Sequence, residues 1–82
     1  MFKNRSSDGR NNLCGTAMAR LRKEAHLSQR MLAEKLQILG LDVDKNAVQR
    51  IESGQRFVTD IELSLIARVF SVCVEALLFD GE

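Results

Sequence analysis

Residues 44–54 read DKNAVQRIESG, and this stretch decides the fold. Asp44 is an N-cap candidate, because its carboxylate can accept the free backbone N–H groups of a first helical turn. Gly54 suits the left-handed residue that ends a helix. Between these caps Lys45, Asn46, Gln49, Arg50 and Ser53 fall within one polar arc of roughly 140°. Val48 and Ile51 point the other way, toward a core. Lys, Arg, Asn and Gln are the side chains that hydrogen-bond base edges in the major groove. Most polar helix faces are only solvated, so the surroundings of this helix decide between the two readings.

Upstream, Ser28 is a good N-cap for a helix that buries Leu32, Leu36 and Leu39 at i, i+4 and i+7, and Gly40 stops it. Leu41, Asp42 and Val43 then link it to Asp44. Two helices joined by a short turn, the second small and polar-faced, match a helix-turn-helix. Before them, Leu13, Cys14, Ala17, Met18, Leu21 and Ala25 share one face of a first helix ending near His26. After Gly54 comes a loop over residues 55–58. Thr59 and Glu62 then form a capping box, each satisfying the other's free N–H. The fourth helix it opens turns Leu63, Ile66, Ala67 and Phe70 inward. A turn over residues 71–73 leads to a short fifth helix, 74–79, carrying Leu77. No strand-like alternation or repeat occurs, so the fold class is all-α with five helices.

The chain has 82 residues, 45% of them hydrophobic, enough for one domain with a modest core. No apolar run approaches the roughly 18 residues of a membrane span. The opening MFKNRSSDGRNN lacks the apolar segment of a signal peptide. Net charge is +1, but it is unevenly placed. Up to Lys35 there are eight Lys/Arg against three acids, giving +5; from Leu36 onward there are four against eight, giving −4. A polyanion can therefore meet one face of a nearly neutral protein. Chance asymmetry in so few charges is the plainer account.

Residues 1–11 are polar and read as a flexible N-terminal arm, either a frayed end or a basic segment touching phosphate; residues 12–82 form the domain. Cys14 and Cys73 lie far apart among apolar neighbours, without metal-ligand spacing. Two buried free thiols in a reducing cytoplasm are the expectation. His26 is the sole histidine, at a helix end. With no metal cluster, glycine-rich phosphate loop or Ser/His or Cys/His constellation, the sequence does not read as an enzyme, and it implies no cofactor and no small-molecule ligand.

Taken in order, Ala19-Arg20-Leu21-Arg22, Leu27-Ser28-Gln29, Leu32-Ala33-Glu34-Lys35-Leu36 and Val43-Asp44 through Val48, Arg50-Ile51-Glu52 and Gly54 resemble the phage repressor/Cro-type (XRE-like) helix-turn-helix family. Glu62-Leu63, Ile66-Ala67, Val72, Val74 and Leu77 continue the likeness, which covers roughly residues 13–78. The resemblance implies a five-helix, lambda-repressor-like DNA-binding domain acting as a sequence-specific transcriptional regulator, with repression the expected mode. Its partner would be double-stranded DNA, in the cytoplasm and away from membranes. Lys45, Asn46, Gln49, Arg50 and Ser53 would face DNA, while Gln55 and Arg56 would make backbone contacts. Gln29, opening the second helix, would contact a phosphate and brace the recognition helix. Arg22 and Glu52 would form a partly buried structural ion pair between the first and third helices.

One departure stands out. From the Leu36 position to the recognition-helix cap the family usually has three residues; here Leu36 to Asp44 spans eight. The extra residues 37–41 are expected to add about a turn to the second helix, with Leu39 continuing the buried stripe. They also offer Ile38 or Leu41 to a surface.

A second class of function fits the same fold: a protein-interaction module, such as an antitoxin-like or regulatory partner. A protein-docking third helix should carry exposed Leu, Met or aromatic residues, and this one carries Lys, Asn, Gln and Arg. Family members usually gain specificity by dimerising on a two-fold site. Leu78 and Phe79 are candidates for such a homodimer surface or, as the preferred reading, the last contacts of the core.

Overall fold

A computed structural model describes residues 9–79, which form five helices: α1 (Gly15–Glu24), α2 (Gln29–Ile38), α3 (Lys45–Glu52), α4 (Asp60–Phe70) and α5 (Val74–Leu78). Among the described residues there is no strand. Four of the five helix starts can be traced to a side chain. Ser28 Oγ accepts from Met31 N–H at 3.0 Å and Asp44 Oδ1 from Ala47 N–H at 2.8 Å. Thr59 Oγ1 accepts from Glu62 N–H at 3.2 Å while Glu62 Oε1 accepts from Thr59 N–H at 2.9 Å, completing the capping box. At α1 the oxygen comes from outside the helix: Asn12 Oδ1 accepts from Gly15 N–H at 2.8 Å.

Four helices end in the same way. At each end a left-handed residue, namely His26 (φ 58), Gly40 (φ 95), Gly54 (φ 82) or Ser71 (φ 55), bonds back three residues. The N–H after it bonds back five: Leu27 to Arg22, Leu41 to Leu36, Gln55 to Arg50 and Val72 to Ala67. These paired bonds are the Schellman pattern, which satisfies carbonyls the helix leaves open. The sequence marks two of the four with glycine; His26 and Ser71 adopt the left-handed region against a steric cost.

The core is built from one face of every helix. Met18, Leu32, Leu36, Val48, Ile51, Ile66 and Leu77 are fully buried, with Cys14, Ala17, Ala33, Val43 and Ala67 beside them. α3 packs on α1 and α2, α5 on α1 and α4, and α2 on α4. Val48 and Ile51 therefore anchor α3 by its inner face alone, leaving the opposite face to solvent.

Several sequence expectations change. α2 ends at Ile38, two residues past Leu36, so the extension adds less than a turn. Leu39 is the C-cap and only half-buried, because the helical stripe has already stopped. The link is stabilised instead by Leu41, which packs on the core, by buried Val43, and by Gln37 Nε2 donating to Val43 O at 2.7 Å. Ile38 is the residue left outside, at 83% exposure. Leu13 and Ala25 flank α1 rather than lie in it, and both are exposed. Phe79 lies beyond α5 and is exposed, so it is not a core contact.

Both cysteines are free, but only Cys14 is buried. Burial pushes the Cys14 thiol up to about 11, because a thiolate there would lose its water. Cys73 is exposed, since it precedes α5 as its extended N-cap while Val72 and Val74 on either side turn to the core.

Most of the expected N-terminal arm, residues 1–8, lies outside the described residues. Its last residues, Arg10 and Asn11, are held against the end of α3 and belong to the fold.

Candidate nucleic-acid interface

The outer face of α3 carries Lys45, Asn46, Gln49, Arg50 and Ser53, all exposed. No large apolar side chain of α3 is among the exposed ones. The helix ends that hold this face are polar and fully specified. Asp44 caps the N-terminus, and its carboxylate answers the partial positive charge of the first turn. At the C-terminus Gly54 N–H bonds to Ile51 O at 3.1 Å and Gln55 N–H to Arg50 O at 2.9 Å. Ser53 Oγ donates to Arg50 O at 3.2 Å, so its hydroxyl serves the helix end as well as the outer face.

Glu52 is the one acid in α3, and its carboxylate turns inward. Arg22 Nε donates to Glu52 Oε2 at 2.6 Å and Arg22 Nη2 to Glu52 Oε1 at 3.1 Å, a two-pronged ion pair. Side-chain exposures of 12% and 9% place the pair largely out of water. The hydrogen bond to Glu52 holds the Arg22 guanidinium above its ordinary value, against the opposing effect of burial. Arg22 Nη1 also donates to Leu27 O at 2.8 Å, which ties the α1–α2 turn into the same group. A negative charge that would repel DNA is thereby neutralised and hidden.

Gln29 reaches the same carboxylate. Its Nε2 donates to Glu52 Oε1 at 3.0 Å, so the amide is a donor to α3, not an acceptor from it. The Glu52 carboxylate, paired with Arg22, offers acceptors to the amide N–H. Gln29 thus joins Arg22 in orienting α3.

Beside this network an open cleft of about 520 Å³ is lined by Arg22, Ser28, Gln29, Arg30 and Lys45. It sits beside the N-terminus of α2, where a helix dipole favours an anion, and Arg30 and Lys45 add cationic side chains to its lining. Arg30 was not singled out from the sequence as an interface residue. Its position directly after Gln29, in the first turn of α2, was the available signal.

The loop after α3 is braced rather than loose. Arg56 Nη2 pairs with Glu62 Oε2 at 2.8 Å, and Arg56 Nη1 donates to Phe57 O at 3.3 Å. Arg56 and the Thr59 N–H hold the Glu62 carboxyl below its usual 4.5, in spite of its burial. Arg56 therefore spends its guanidinium on the loop. Gln55 remains exposed, with its carbonyl accepting from Asn11 Nδ2 at 2.9 Å.

The solvated polar face, the inward-turned acid and the cationic cleft all lie on or beside α2 and α3, two helices joined by a short link as in a helix-turn-helix. A family model described as helix-turn-helix matches residues 18–73, more than half of the chain. The chain belongs to the Cro/C1-type helix-turn-helix family. The family is one of DNA-binding transcriptional regulators rather than of enzymes. The matched span runs from within α1 through α4, and so contains the Arg22–Glu52 pair, the cleft and all of α3. Among curated proteins none matches this chain. Among the described residues no helix is long and apolar enough to cross a membrane, and no group of three His, Cys, Asp or Glu is placed to hold a metal ion.

Proposed function

We propose that this protein is a sequence-specific transcriptional repressor that inserts α3 into the major groove of double-stranded DNA. Lys45, Asn46, Gln49 and Arg50 would meet base edges, with Ser53 at the trailing end. The cleft beside Gln29, Arg30 and Lys45 would receive a backbone phosphate, and exposed Gln55, next to the braced Arg56, would meet a second one. The observation that carries this reading is the outer face of α3. It is entirely polar and solvent-exposed on a helix whose inner face and both ends are fixed. Such a face suits base reading, which needs rigidly held donors and acceptors. It does not suit a protein-docking helix, which needs exposed apolar anchors.

Repression is the proposed mode, in which a protein seated in the groove denies its site to others. The test is duplex binding over a range of salt concentration. Affinity that falls steeply and linearly on logarithmic axes supports the reading, because released counterions report neutralised phosphates. Binding that is flat in salt, or absent, rejects it and leaves the protein-interaction module.

A further inference from the structure

The C-terminal end of α3 is covered by three consecutive residues from far upstream. Arg10 Nη2 donates to Glu52 O at 2.7 Å. Asn11 N–H donates to Gly54 O at 2.8 Å and Asn11 Nδ2 to Gln55 O at 2.9 Å. Asn12 Nδ2 donates to Ile51 O at 3.1 Å and to Arg56 O at 2.7 Å, while its Oδ1 accepts from Gly15 N–H. Every carbonyl from Ile51 to Arg56 other than that of Ser53 therefore meets a donor from this segment. A helix end normally leaves such carbonyls to water. Here a guanidinium also sits at the negative pole of the helix dipole, where a cation is favoured.

The approach is close enough to require glycine on both sides. A Cβ at Gly54 would lie 2.8 Å from Arg10 Cζ and 2.9 Å from its Cγ, and one at Gly15 would run into the Ile51 carbonyl and the Arg10 guanidinium. Gly54 already needs its freedom for a φ of 82°, whereas Gly15 is an ordinary helical residue whose lack of a side chain is explained by this contact. Glu52 is consequently gripped twice by arginine: Arg22 holds its carboxylate and Arg10 its backbone carbonyl.

We propose that Arg10 is a positioning residue for DNA reading: it sets the pose of the C-terminal half of α3, and so of Gln49, Arg50 and Ser53, without itself contacting the duplex. This inference rests on the DNA reading above. The helix is short, at eight residues, so a tilt at one end displaces the reading side chains across its length. A base contact is worth about tenfold or more in discrimination, and misaligned donors lose it while phosphate attraction, which is tolerant of angle, persists.

The test compares Arg10→Ala and Arg10→Lys with the unaltered protein, on a duplex selected from a random pool and on a scrambled duplex. Both are measured at several salt concentrations and at matched helix content. The expected result is a fall of about tenfold in the ratio of the two affinities, with affinity for the scrambled duplex and the salt slope unchanged. Arg10→Lys should share the loss, because a lysine keeps the charge but not the planar fork over Gly54. Amide exchange at Gly54 and Gln55 should quicken in both variants without DNA. Should Arg10→Ala fail to fold, Arg10→Lys decides alone. Equal weakening on both duplexes with a shallower salt slope, restored by Arg10→Lys, would make Arg10 a phosphate contact and overturn the proposal. An unchanged ratio would overturn it too. If the unaltered protein selects no duplex at all, the DNA reading itself has failed, and the positioning role falls with it.

Discussion

Gln29 Nε2 lies 3.0 Å from Glu52 Oε1, so the residue that opens α2 is tied directly to the last residue of α3. Together with Arg22 it makes Glu52 the meeting point of α1, α2 and α3. The relative placement of the two helices of the motif is therefore held by one carboxylate and two donors, in addition to apolar packing. Geometry of this kind is sensitive to loss of one member, because the remaining charge stays out of water without a partner.

Arg22→Met should cost about 3 kcal/mol of folding stability, and Glu52→Gln a similar amount. The double variant should cost clearly less than the sum, since neither charge is then stranded. Thermal or urea melting of the three variants measures this. Additive losses would mean that the two residues do not interact in solution.

Glu62 predicts an acid limb in the stability profile. Arg56 and the Thr59 N–H lower its carboxyl from 4.5 in the folded state, so the unfolded chain takes up the proton first. Its stabilisation is thus present above about pH 5 and lost as pH falls through and below 4.5. Glu62→Gln keeps a capping-box residue type but removes the charge. It should lower stability at pH 7 by about 1 kcal/mol and flatten the decline between about pH 5 and 3. Urea midpoints across that range decide, and a variant with the same acid limb as the parent would show that Glu62 is not its source.

The fold was legible where a side chain speaks for itself. Ser28, Asp44 and Thr59 each carry an oxygen that caps a helix, and Val48 and Ile51 place the inner face of α3 by periodicity alone. Legibility failed where a bond depends on residues distant in sequence. Nothing local to Arg10 or Asn11 reveals that they meet carbonyls more than forty positions away, and a polar segment there reads as a tail. Gly15 was a clue of the same kind, since glycine inside a helix weakens it unless something approaches closely. The direction of the Gln29 bond also needed the structure, because an amide can donate or accept until its neighbour is known.

The left-handed helix ends at His26 and Ser71 went unread for a different reason: neither is glycine. That same fact makes His26 a site for improvement. It is exposed, and among the described residues no side-chain hydrogen bond of His26 accompanies its φ of 58°. His26→Gly should raise stability by about 0.5–1 kcal/mol, since the relief of strain exceeds the added freedom of the unfolded chain. Thermal melting should show a rise in Tm; a fall would mean that the imidazole makes a stabilising contact of its own.

The most direct test of the central claim is a pair of measurements on Arg50→Ala. Arg50 is exposed on the outer face of α3, and among the described residues its side chain makes no ion pair. Helix content and melting should therefore match those of the unaltered protein. Affinity for a duplex selected from a random pool should fall by about 1–3 kcal/mol, with relaxed preference at one or two base positions. Unchanged melting together with unchanged affinity and preference would contradict the assignment of α3 as the helix that reads DNA.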